Sequence, residues 1–187
     1  MKRGYLRYLW LLACLVSAPL LAQSPTACDV TRTAKVAFTG QQATDTLTVT
    51  VAGDPCREAT VVLRINNKDG REVYLYEGLL LEHLPFVVHE PELEPLVGFF
   101  AEKVIRDGFI RRTNDLPPWA PVEQYYDSTN DIIVVSEQVY NGLRGMKKPI
   151  FWHAAGDATW VHVVYDGRSQ YGRIIMRGGV FRSAGEQ

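Results

Sequence analysis

The stretch Pro149–Met176, PIFWHAAGDATWVHVVYDGRSQYGRIIM, decides how the chain folds. Three apolar-aromatic runs are separated by two turn signals, Ala155-Gly156-Asp157 and Asp166-Gly167, which predicts an antiparallel meander of two hairpins. A two-residue turn at Asp166-Gly167 sets Tyr165 against Arg168, His162 against Tyr171 and Trp160 against Arg173. A tight turn about Gly156 sets Phe151 beside His162 and His153 beside Trp160. Because side chains alternate across a strand, this register gathers Phe151, His153, Trp160, His162, Tyr171 and Arg173 on one face. Trp152, Val161, Val163, Tyr165, Ile174 and Met176 fall on the other, a core face. The first face is the concentrated polar-aromatic surface of the sequence, with Trp160 placed to stack on the Arg173 guanidinium. Trp, Tyr and Arg dominate binding hot spots, so this face is the expected contact surface. It locates a site without naming the ligand.

Immediately upstream, Ser136 is positioned to cap a short helix over about 136–144, with Val139 and Leu143 inward and Gly145 as its stop. Ile132 to Val135 predicts a buried strand. The connector Asn114 to Val122, NDLPPWAPV, is proline-rich and extended, and Trp119 within it is expected to anchor the loop to the core. Further back, Leu93, Leu96, Val97, Phe100 and Val104 recur at helical spacing, which predicts a main helix over about 92–107 whose stripe covers a sheet. Asp107-Gly108 ends it. Between Gly78 and that helix, Pro85, Pro91 and Pro95 predict irregular chain.

The first half is β-rich. Leu47, Val49 and Val51 alternate with threonines, and Val61, Leu63 and Ile65 repeat the pattern. Asn66-Asn67-Lys68-Asp69-Gly70 is a strong turn signal. Arg71 to Glu77 sets Val73 and Leu75 against Tyr74 and Tyr76. Strands over Val30 to Thr39 and Thr44 to Ala52, paired at Thr39 and Thr44, bring Cys28 opposite Pro55, one residue from Cys56. A Cys28–Cys56 disulfide is therefore expected, worth roughly 3.5 kcal/mol in a chain-entropy account.

The N-terminus reads as a targeting segment. Lys2, Arg3 and Arg7 precede an apolar run to Leu21, and small residues at Ala18 and Ala22 place signal-peptide cleavage after Ala22. Ser17 and Pro19 interrupt the run, which falls short of a comfortable membrane span. Leu11-Leu12-Ala13-Cys14 resembles a lipidation box, but the apolar stretch before Cys14 is very short. Loss of residues 1–22 takes the formal charge from −1 to −4, since they hold those three bases and no acid. A mildly acidic domain offers no electrostatic pull on nucleic acid. An even cysteine pair in an exported chain favours a disulfide over a metal or redox site.

Chemistry-bearing motifs are sparse. His153 and His162 lie on a cross-strand diagonal, yet no cysteine or carboxylate joins them, so no metal is expected there. His83, His89 and Glu90 match no helical ligand spacing. Asp127, Asn130 and Asp131 form a DSTND run that lacks the glycine and bidentate glutamate of a calcium loop and reads as a turn. There is no GxSxG, HExxH or P-loop, so no catalytic residue is assigned.

The sequence thus predicts an α+β protein with antiparallel sheets built from N-terminal hairpins and a C-terminal three-stranded meander, covered by one main and one short helix. A single domain spans 23–181, followed by a disordered tail at 182–187. The expected function is a periplasmic or secreted, non-catalytic binding or inhibitor-like role, without a cofactor, toward an envelope protein or cell-wall glycan. The alternative is an envelope hydrolase with His153 or His162 as acid–base group.

Overall fold

The structure, a computed structural model, describes residues 28–83, 90–120, 132–156 and 159–179. The signal segment, His89, the DSTND run, Asp157 and the tail from Arg182 lie outside the described residues. The fold is α+β, with two antiparallel sheets of four strands each.

The first sheet is a meander of β1 (Val30–Val36), β2 (Asp45–Ala52), β3 (Thr60–Asn66) and β4 (Glu72–Leu79) in sequence order. Its inner face pairs Leu47 with Ile65, Val49 with Leu63 and Val51 with Val61, all fully buried. Threonines hold the outer face. At the β3–β4 turn the Asn67 side-chain oxygen accepts from the N–H groups of Asp69 and Arg71, and Gly70 takes φ +80°.

Two details of this sheet depart from expectation. β1 ends at Val36, opposite Asp45, so the hairpin register moves by two residues and the face assignments survive. The cause is Asp45, buried, whose carboxylate accepts from the Phe38 and Thr39 N–H groups at 2.9 and 2.6 Å and from the Thr39 hydroxyl at 3.0 Å. That cap turns the chain inward and drives Phe38 among Tyr74, Phe109 and Tyr165. Cys28 and Cys56 still meet in a disulfide, with Cα atoms 5.3 Å apart. In β4, Tyr74 opposes Ile65 and Tyr76 opposes Leu63, with a bulge at Ile65/Asn66, so the tyrosines face the core. Their hydroxyls find imidazole partners inside, which removes the cost of burying them.

A one-turn helix, α1 (Leu80–His83), follows β4, and α2 (Glu90–Asp107) covers β1 and β2 as expected. Val97, Phe100 and Ala101 enter the core. Pro91 and Pro95 lie inside α2 rather than in irregular chain. Pro91 falls in the first turn, where no N–H bond is lost, and Pro95 forfeits a single bond near the start. At the helix end a Cβ on Gly108 would come within 2.8 Å of the Phe151 ring, and the Gly108 carbonyl accepts from the Trp152 N–H at 2.7 Å. Only glycine lets the two elements approach so closely.

The second sheet has β5 (Ile132–Ile133), β6 (Phe151–Ala154), β7 (Thr159–Asp166) and β8 (Tyr171–Gly179) in the order β5-β8-β7-β6. The three-stranded meander is present, but both of its registers differ from expectation. Phe151 opposes Val163 and His153 opposes Val161, because the first turn closes from Ala155 to Thr159 and is longer by one residue. In the second hairpin Asp166 stays in the strand opposite Tyr171, and its carboxylate accepts from the Arg168 N–H at 2.9 Å. Four residues, Gly167–Gln170, make that loop, so Trp160 opposes Gly178 and His162 opposes Met176.

The second sheet is apolar on both faces. One faces α2 and the first sheet. The other packs Ile150, Val164, Ile175 and Met176 against α3 (Glu137–Arg144) and Leu116. Ser136 and Gly145 bound α3 as expected, although the Ser136 hydroxyl makes no capping bond. Its inward anchor is the fully buried Tyr140, which donates to the Pro117 carbonyl at 3.0 Å; Leu143 is only partly buried. Trp119 packs on this second core, the anchoring role foreseen for it.

Candidate functional site

The one-residue change in the β6–β7 register disperses the six predicted face residues. Phe151 and His153 point between the sheets and are sealed, at 0% and 1% exposure. His162 is equally buried, and the Arg111 guanidinium donates to its Nε2 at 3.3 Å. Tyr171 lies half-buried beside Tyr74 and donates to Glu72 at 3.4 Å. Arg173 is exposed on the β7–β8 hairpin, 3.9 Å from Asp166. Trp160, half-buried, stands at the wall of a cavity. The six therefore do not share a surface.

The structure brings together a different set. β4 aims Tyr74 and Tyr76 inward, α1 supplies His83 and β6 supplies His153. The His153 Nδ1–H donates to the Ala154 carbonyl, a group that can only accept, which fixes Nε2 as the acceptor for the Tyr74 hydroxyl at 2.7 Å. The Tyr76 ring lies 4.8 Å from that of His153, and its hydroxyl is 3.2 Å from His83 Nε2. His83 Nδ1 is buried without a hydrogen-bond partner among the described residues. Phe100 and Phe151 close the cluster against the apolar core.

Burial dominates the electrostatics. It holds both His83 and His153 down at about 4, so both are neutral at physiological pH. Burial, then the Glu82 carboxylate, pushes Tyr76 up to about 12. The cluster is thus an uncharged array of hydroxyls and imidazoles. Among the described residues no group of three histidines, cysteines or carboxylates lies close enough together to hold a metal ion.

Two cavities flank the array. One, of about 300 Å3, is walled by Tyr74, Tyr76, Trp160, Ile174 and Arg177 at the seam between the sheets. The other, of about 140 Å3, lies between α2 and β6 against His83, His153 and Trp152. The half-buried Tyr76, the Trp160 indole and the Arg177 guanidinium, with buried Tyr74 behind them, are flat groups with polar edges, suited to binding a ring-shaped, hydroxylated ligand.

No known protein family, curated protein or solved structure matches this chain.

Sequence reasoning named His83, His153, Tyr74 and Tyr76 without linking them. Alternation did not single out the tyrosine side of β4, because Val73, at the opposite parity to Tyr74 and Tyr76, is also fully buried.

Proposed function

We propose that the chain is an exported, disulfide-bonded binding protein without catalytic activity, working in the periplasm or outside the cell. Its recognition site is the seam cavity beside Trp160, and its partner is a cell-wall glycan or an envelope protein presenting a ring-bearing side chain. The observation that carries this reading is the convergence of Tyr74, Tyr76, Trp160 and Arg177 on one concavity of about 300 Å3. That size and composition fit a small-ligand site. Of the six face residues read from the sequence, Trp160 keeps a direct contact role here, while Phe151 and His153 support the wall from behind. Export is supported by the basic-then-apolar N-terminal segment together with the Cys28–Cys56 bridge. No helix among the described residues is long and apolar enough to cross a membrane.

The test is indole fluorescence against cell-wall fragments and envelope extracts, in a background where Trp119 and Trp152 are replaced by Phe. A saturable change in the remaining Trp160 signal, with capture of the same partner lost in Trp160→Ala, supports the site. Capture of every partner at wild-type strength by Trp160→Ala removes it.

A hydrolase reading draws on the Tyr74–His153 pair behind the same cavity. It requires turnover of envelope material with a pH–rate inflection set by His153 near 4, well below an ordinary imidazole. A flat profile through that range, or no turnover, sinks it.

A further inference from the structure

A larger cavity lies on the α3 side of the second sheet, away from the seam with the first sheet. It is a groove of about 500 Å3 between α3 and the β7–β8 hairpin. Its floor is aliphatic: Val164 and Ile175 are fully buried, Val139 and Leu143 line the helix side, and Met146 stands at the rim with 58% of its surface exposed. Met146 is unbranched and polarizable, so it can adapt to an irregular apolar body in the groove. The polar end is basic. Lys148, Arg168 and Arg173 border it against the single carboxylate of Asp166.

Those charges are available to a ligand. Arg173 meets Asp166 only at 3.9 Å, and Arg168 makes no ion pair among the described residues. The Lys148 ammonium donates one bond, to the Tyr165 carbonyl at 3.1 Å, leaving two donors. A local excess of cations in a chain of formal charge −1 sits beside an apolar trough of ligand size. Among the described residues, the groove's lining includes neither outer strand of the sheet, β5 or β6, for an extended peptide to pair with, nor an aromatic stacking face other than Tyr165. An acyl chain needs neither.

We infer that this groove binds a single-chain anionic amphiphile, a free fatty acid, with its chain along Val139, Leu143, Val164 and Ile175 and its carboxylate on Arg168 and Arg173. The site is independent of the Trp160 cavity. A guanidinium pair aimed at a carboxylate gives charge-assisted bonds that specify the head group, while the floor supplies length-dependent affinity.

The test is calorimetric titration of the whole chain with dodecanoate below its micelle concentration, beside dodecyltrimethylammonium as the cationic twin. One saturable dodecanoate per chain is expected, with the ammonium compound at least about 10-fold weaker. The double variant Arg168→Glu/Arg173→Glu is expected to lose about 10- to 100-fold in dodecanoate affinity. Met146→Glu, at an exposed rim position, places an anion at the mouth and is expected to weaken binding on its own. Trp160→Ala leaves it unchanged. Absence of saturable binding, equal affinity for both amphiphiles, wild-type affinity in both charge-changing variants, or loss of binding in Trp160→Ala overturns the assignment.

Discussion

The Tyr74 hydroxyl donates to Nε2 of His153 across 2.7 Å, and this one bond ties β4 of the first sheet to β6 of the second. Both residues are buried, and the imidazole is held in one tautomer by its own backbone neighbour, the Ala154 carbonyl. Apart from the longer Tyr171–Glu72 bond at 3.4 Å, the sheets meet largely through apolar side chains, which favour contact without fixing alignment. A directional bond in a dry seam supplies that alignment.

Tyr74→Phe keeps the ring and deletes the donor, leaving the His153 acceptor buried and unmatched. The expected loss is about 1–3 kcal/mol, read as a lower urea midpoint at unchanged slope. A variant as stable as wild type would mean that water or another donor reaches Nε2.

Stability should fall on mild acidification. His83 and His153 have folded values near 4 against about 6.5 when unfolded, so the unfolded chain binds more protons between those limits. Their contribution is fully present above pH 6.5 and is lost as the pH falls toward 4. Between pH 7.5 and 5.5 each histidine should remove roughly 1 kcal/mol. Replacing His153 by Gln should flatten its share of the slope in urea titrations at the two pH values.

Gly172 lies where β8 crosses the Tyr74 and Phe38 rings. A Cβ there would approach Tyr74 Cδ2 to 2.7 Å and Val163 Cγ1 to 3.0 Å. Gly172→Ala should cost about 1–3 kcal/mol by overpacking, and Gly172→Val more. Gly167→Ala, in the hairpin loop with nothing within 4 Å of its Cβ, is the matched control and should be near neutral.

Cys28 and Cys56 close a segment 28 residues apart in sequence at the open end of the first sheet. Replacing both by Ser should lower stability by about 2–4 kcal/mol without altering the β-rich circular dichroism of the folded fraction. A change much smaller than that would show that α2 alone holds the β1–β2 hairpin shut.

What the sequence determined by itself is the local and periodic part of this protein. Alternation at Leu47, Val49 and Val51, the Asn67–Gly70 turn, and the helical stripe through Val97, Phe100 and Val104 each follow from a few neighbouring residues. So does the meander as a succession of strands. Each depends on short-range propensity and on burial of one repeated face, both readable along the chain.

The tertiary structure alone decided which side chains meet. One extra residue in the turn between Ala155 and Thr159 inverted β6 relative to β7 and took Phe151 and His153 from a supposed surface to the core. The period of a strand is two, so a slip of one exchanges every side chain between faces, and turn length is set by hydrogen bonds that sequence does not rank. The inward tyrosines of β4 depended on imidazoles 79 residues away for Tyr74 and 7 away for Tyr76. A buried hydroxyl is tolerable only once its partner is in place, and that partner is supplied by the packing of the two sheets.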